Sequence, residues 1–296
     1  MTRPVSFSPT PGKGGRRAGW LLIPALVPAA LLIWWPLWFM LTGAAMPQDE
    51  LLATVGPALG AGGAPYASWH LLPSWPTLQP LAELLLDTPQ FFIMFWNTVR
   101  QVFPQVLGQL AVGAPAAWAL SRLRFRGRGA VRALYIVLML MPFQVTMVPN
   151  YLVLGRLSLL DTVWSVILPG IFSTFPVFIM ERGFDAVPRA LLEAAAIDGA
   201  NQRQVFCRIG LPVGLPGVLG ALTLSFLEAW NAIEQPMTFL KERRLWPLSL
   251  YLPEITADKA AVAWAASAVA MILPVSLFLM GQGALEQGIA AAGIKE

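Results

Sequence analysis

Charge is scarce in this sequence. Asp, Glu, Lys and Arg make up 12% of its 296 residues, where an average soluble domain has about 25%. So few charges cannot cover a water-facing surface, and the chain is built for another solvent. Its net charge of +4 gives too weak a field to drive binding to nucleic acid. A single cysteine, Cys207, excludes an internal disulfide. A single histidine, His70, excludes a metal site built from several histidines and argues against a histidine-based triad. No G-x-x-x-x-G-K-[ST] occurs, so the chain has no P-loop. Any ATP hydrolysis that drives it therefore belongs to another polypeptide. The sequence nominates no catalytic residue, no metal ligands and no cofactor bound by this chain.

Apolar runs are abundant, with 56% hydrophobic residues. Charge-free stretches extend over 18–41, 101–121, 133–155, 162–180, 209–227 and 260–285, each near or above the about 20 residues that cross a bilayer. This predicts an all-α membrane protein with six transmembrane helices. The second span begins near Phe92, and the fifth continues past Glu228 toward Phe239. Prolines interrupt nearly every run, which neighbouring helices tolerate in a bundle. Lys and Arg orient the spans. Fourteen lie on one side: Arg3, Lys13, Arg16, Arg17, Arg122, Arg124, Arg126, Arg128, Arg132, Arg182, Arg189, Arg203, Arg208 and Lys295. Five lie on the other: Arg156, Lys241, Arg243, Arg244 and Lys259. Both termini are therefore expected in the cytoplasm. The chain divides into a cytoplasmic tail 1–17, a first helix 18–41, an extracytoplasmic loop 42–91, a transporter domain 92–285 and a tail 286–296. The first run is 24 residues long, beyond the about 7–15 of a signal-peptide core, so it reads as an uncleaved span. The stretch SRLRFRGRG interleaves Arg and Phe as an RNA-binding segment does, but cytoplasmic orientation already explains its arginines.

The connection 181–210 carries local signals for two short helices. Pro188 suits a first helical turn, Gly199 the left-handed position past a helix end, and Asn201 the cap of a second helix. Val205, Phe206 and Ile209 fall on one face of that second helix. Ala194, Ala195 and Ala196 are small enough to let another surface approach. Such a helical turn between two spans is suited to docking with a soluble partner.

Glu193-Ala194-Ala195, Gly199, Ile209 and Leu211-Pro212, at their observed spacing, resemble the EAA loop of ABC importer permeases. The resemblance extends to WNTV at 96–99, WALSRLRFRGR at 118–128 and MPFQVTMVPNYLVLGRLSLLDT at 141–162. With LPG at 168–170 and WN at 230–231 it covers about 72–285, and it is similar to the carbohydrate-uptake branch, including maltose and glycerol-phosphate permeases. The resemblance implies a type I importer fold in the bacterial cytoplasmic membrane. It also implies two cytoplasmic ATPase subunits that use ATP and Mg, an extracytoplasmic solute-binding protein and a second, similar permease. In that family the loop docks in an ATPase cleft, with Glu193 as anchoring acid and Gly199 as the turn. Ala194, Ala195, Asp198, Ile209, Leu211 and Pro212 complete the set.

Polar residues inside the spans remain to be placed. Asn97, Gln101, Gln105 and Gln109 recur every four residues, a stripe that drifts about 40° per step. These amides either line a solute path or bind the helix to its neighbours. Ser225, Glu228, Asn231 and Gln235 would share a face of one continuous helix. Gln101, Gln105, Gln109, Glu228, Trp230 and Asn231 are thus candidates for the solute path. Trp230 is either a stacking platform for a sugar or an interface anchor. Glu228 departs from the family, which places small or aromatic residues there. Arg100 is expected to pair with Glu228 or Glu234, since a buried charge is rarely left alone; the rival is that it snorkels to the headgroups and each Glu faces water or the sister subunit. An ion-coupled secondary transporter with Glu228 as coupling carboxylate is the alternative function, but it leaves the EAA loop unexplained.

Overall fold

The computed structural model describes residues 14–59, 66–68, 70, 72–252 and 257–293. Arg3, Lys13 and Lys295, used for orientation, lie outside them. Among the described residues the secondary structure is entirely helical. The first run becomes α1, Gly14–Gly43, with Pro24, Pro28 and Pro36 inside it. A short helix α2, Gln48–Val55, follows, and Met46 and Leu51 pack on Ala260 and Ala261. The second run becomes α3, Pro89–Arg122, which contains Pro104 and Pro115.

The third run is not one helix. It divides into α4, Arg128–Leu140, and α5, Phe143–Arg156, which meet at 104°. Pro142 is the cause: its ring drives the preceding residue out of helical geometry, and Met141 has ψ 121°. The fourth run is interrupted between α6, Trp164–Ile171, and α7, Thr174–Asp185. The connection 181–210 contains α8, Arg189–Ile197, and α9, Gln202–Val205. A wider turn, Phe206–Gly210, leads into α10, Leu211–Trp230. That helix stops at Trp230 instead of running on to Phe239. A separate α11, Glu234–Phe239, follows. The last run is α12, Ala260–Gly293.

Among the described residues, four helices are long and apolar enough to cross a membrane, and five if α4 and α5 count as one bent span. α3 has the length, with 34 residues, but its amide stripe lowers its apolarity. α7 lies against both α3 and α10, and α12 packs along α10. The α7–α10 contact is backbone on backbone: a Cβ on Gly183 would lie 2.7 Å from Gly217 Cα. Phe184 occupies the space beside Gly214. Trp118, Val177, Met180, Phe184, Val218 and Ala221 form the core at this end. Leu84, Phe91, Met94, Leu248, Ala265 and Ala266 form another. Large apolar side chains on α1 and α12 point outward, the surface that lipid covers.

Candidate functional site

The EAA segment folds as its local signals require, with one shift: Pro188 stands just before α8 rather than in its first turn. α8 ends in a Schellman turn. Gly199 has φ +75°, the Gly199 N–H donates to Ala196 O at 3.2 Å, and the Ala200 N–H donates to Ala195 O at 2.9 Å. Nothing lies within 4 Å of a Cβ built on Gly199, so glycine is needed there for its backbone angle and not for space. Asn201 and Gln204 form a reciprocal capping box at the start of α9, both bonds 2.9 Å. Val205 is buried, and Phe206, Ile209 and Leu211 pack on the same core.

The small residues of the motif divide by face. Ala195 is buried against the bundle, whereas Glu193, Ala194 and Asp198 are exposed. Ile197 is 86% exposed at the tip. An isoleucine this open, beside an acid and an alanine, forms a compact apolar and acidic surface. Pro212 is exposed in the first turn of α10.

Beneath that surface, arginines bind the helix ends together. Arg122, the last residue of α3, donates from Nε to Phe184 O at 3.0 Å and from Nη2 to Phe184 O and Val187 O, each 2.5 Å. Ser121 Oγ donates to Asp185 Oδ1 at 2.7 Å. Arg132 forms an ion pair with buried Glu181 and donates to Leu120 O at 3.0 Å. Arg128 donates to Ser121 O at 2.9 Å. Carbonyls at helix C-termini lack intrahelical partners, and these guanidinium groups supply them. Trp118 meets Phe184 edge-on at 5.4 Å and lies 5.7 Å from Phe206. A Cβ on Gly210 would come within 2.4 Å of the indole. This cluster is hidden in the sequence because, as markers of orientation, all the arginines look equivalent. Arg124 and Arg126 are exposed; the position of Arg122 at a helix end was the available signal.

At the opposite end of α3 the polar stripe is buried. Asn97 Nδ2 donates to Arg244 O at 2.6 Å and Trp246 O at 3.1 Å. Gln101 Nε2 donates to Leu245 O at 2.8 Å. Gln109 Nε2 donates to Gly170 O at 2.8 Å, and Gln105 lies against Gly170. Gln101, Gln105 and Gln109 are thus turned into the packing between helices. Their bonds and burial join α3 to α6 and to the 240–247 loop. Asp161, at φ +59°, accepts the N–H groups of Lys241 and Glu242, both at 2.9 Å. These bonds, with the nearby positive charges of Lys241 and Arg244, hold its carboxyl below the usual pKa.

Residues 109–290 match the family described as binding-protein-dependent transport system inner membrane component. The chain belongs to that family. As a member it is a permease subunit of an ABC importer, a multi-pass membrane protein and not an enzyme. It works with an ATPase and a solute-binding protein. The permease is 29% identical to the probable ABC transporter permease protein PH1036 of Pyrococcus horikoshii, over 88% of this chain and 93% of that one. It is 26% identical to the arabinooligosaccharides transport system permease protein AraQ of Bacillus subtilis, over 90% and 92%. The fold matches a chain of a bacterial ABC transporter involved in import of the acidic polysaccharide alginate. The TM-score is 0.75 at 21% identity, covering 93% of this chain and 99% of the other. The permease has the type I importer fold, and the ion-coupled alternative is set aside.

Other expected sites are rearranged in the permease. Arg100 is exposed and pairs with neither Glu228 nor Glu234. Val99, Val102 and Val106 turn toward Phe226 and Trp230, which leaves Arg100 facing outward about 100° around α3 from Val99. Both oxygens of Glu234 accept from Gln144 Nε2, at 2.8 Å. Trp230 is buried and stacked on Phe226 at 5.4 Å, so its ring belongs to the bundle core. Because α10 ends at Trp230, Ser225, Glu228, Asn231 and Gln235 do not share one face. Ser225 is buried, Glu228 and Asn231 are exposed, and Gln235 Nε2 donates to Val166 O at 3.1 Å. No three His, Cys, Asp or Glu side chains are grouped to hold a metal among the described residues.

Proposed function

We propose that this permease forms half of a translocation pathway for a carbohydrate or carbohydrate-like solute across the bacterial cytoplasmic membrane. It crosses six times, with both termini in the cytoplasm, α3 and the bent α4–α5 pair each serving as a span. A second, similar permease completes the pathway, and two ATPase subunits supply the ATP and Mg chemistry. The carbohydrate class is supported by the arabinooligosaccharide relative and by the motifs of the carbohydrate branch. One observation carries the coupling assignment: α8 presents Glu193, Ala194, Ile197 and Asp198 outward while its other face is anchored in the core. ATP-driven closure of the ATPases displaces this helix and changes which side the pathway opens to. The pathway is read on the exposed polar groups Glu228 and Asn231. The test is uptake and substrate-stimulated ATP hydrolysis with Glu193→Lys and Gly199→Val. Both variants are expected to insert normally and to lose both activities, since lysine reverses the anchoring charge and valine resists the left-handed turn. Normal uptake by both would remove the loop from the mechanism. Orientation is tested separately: exposed Cys207 should react with an impermeant maleimide in inside-out vesicles and not in intact cells.

A further inference from the structure

We infer that Arg122 is the positioning residue through which displacement of α8 is passed to α3. The inference rests on the docking role proposed for α8. Only Ala186, Val187 and Pro188 separate α7 from α8. A short link transmits a push only if it is stiff, and this one is held from outside its own backbone. The Val187 N–H donates to Phe184 O at 3.1 Å, and Arg122 donates to Phe184 O and also to Val187 O. One guanidinium thus spans the last turn of α7 and the residue that precedes Pro188. Its planar fork suits two acceptors in fixed directions, which a compact lysine ammonium cannot reproduce. Ser121 adds its bond to Asp185, and Arg132 ties Glu181 on the same helix to α4.

The other end of α3 is equally constrained. Gln101 and Asn97 hold the 240–247 loop by its carbonyls. Positions 101 and 122 are separated by about 32 Å of helix at ~1.5 Å per residue, close to the ~30 Å thickness of the hydrocarbon core. α3 is therefore a strut clamped to an irregular segment at each end. A displacement entering at Arg122 reaches the 240–247 loop without passing through the solute-facing surface.

The experiment uses the assembled importer in proteoliposomes, with its ATPases, sister permease and binding protein. Arg122→Met keeps the side-chain stem and removes the donors; Arg122→Lys keeps the charge and removes the fork. Both are expected to retain co-purifying ATPase and basal hydrolysis. Solute moved per ATP hydrolysed should fall at least about tenfold in Arg122→Met, the scale of one lost charge-assisted hydrogen bond, and less in Arg122→Lys. Hydrogen exchange should rise across 186–200 and stay unchanged in the middle of α10. Unchanged solute per ATP in Arg122→Lys and Arg122→Met overturns the inference and leaves the docking role intact. Loss of ATPase co-purification in both also overturns it, because Arg122 would then act in assembly and not in transmission. The docking role is tested independently by Ile197→Asp, expected to abolish ATPase co-purification. If that variant keeps its ATPase, the docking role fails whatever Arg122 does.

Discussion

The two ends of α3 solve the same problem with different donors. At each end an irregular segment leaves backbone carbonyls without helical partners, and at each end side chains of α3 reach across to them. The Arg-rich end uses a guanidinium, Arg122 on Phe184 and Val187. The opposite end uses carboxamides, Asn97 and Gln101 on Arg244, Leu245 and Trp246. The difference follows the solvent. A guanidinium can keep part of its surface in water at the edge of the bundle, and its charge strengthens the bond. One helical turn or more into the bundle a charge is expensive, and a neutral amide supplies donors without that cost. Burial, more than depth or the geometry of the acceptor, selects the donor: Arg100 lies at the same depth as Gln101 but faces outward.

Exchanging the donors should break this pattern. Gln101→Arg places a charge where Gln101 is 2% exposed, at a cost of about 2.5–3.5 kcal/mol on insertion scales. The expected result is a marked loss of folded protein and of thermal stability in detergent. Asn97→Leu removes the amide that serves two carbonyls and should destabilise by about 1–3 kcal/mol, read as a lower melting temperature and faster proteolysis within 240–252. Arg122→Gln puts the neutral donor at the watery end. Its shorter side chain reaches one carbonyl at most, and the loss in stability should be about 1 kcal/mol. The smallest effect is expected from pH. The Asp161 carboxyl is held below its ordinary pKa, so it contributes stability above the unfolded value of about 3.9 and loses it as pH falls through the lower folded value. Protection of the Lys241 and Glu242 amides should therefore weaken as pH falls below that unfolded value. Asp161→Asn should remove that pH step.

The sequence was most legible where structure depends on neighbours in the chain. Gly199 and Asn201 announced the end of α8 and the start of α9 because caps and left-handed turns are settled within four or five residues. The apolar runs located the helices for the same reason. Where partners are distant, the reading left alternatives or failed. The four-residue spacing of the amides shows that they share a stripe, but their acceptors lie 61 to 149 residues away, so the sequence does not separate packing from solute contact. The proposed Arg100 pair failed because spacing gives the depth of a residue without the direction it faces. In the sequence Trp230 fits a sugar platform and an interface anchor equally, because its actual partner, Phe226, sits one turn back on the same helix, inside the bundle. The break at Met141-Pro142 was visible as a proline, and its size was not, because many transmembrane prolines only kink a helix.

The meeting of Gly183 and Gly217 has a mechanical consequence. Most helix pairs are kept apart by side chains that can change rotamer, so their spacing can yield under load. Here two backbones touch directly, and the distance between α7 and α10 at that point has no adjustable part. The Phe184 ring, one residue on, fills the space beside Gly214, so the pair is locked as well as close. A load on α7, which carries the clamped end of the coupling loop, therefore passes straight to α10 with no slack between them. A single added methyl at either glycine would wedge the two helices apart.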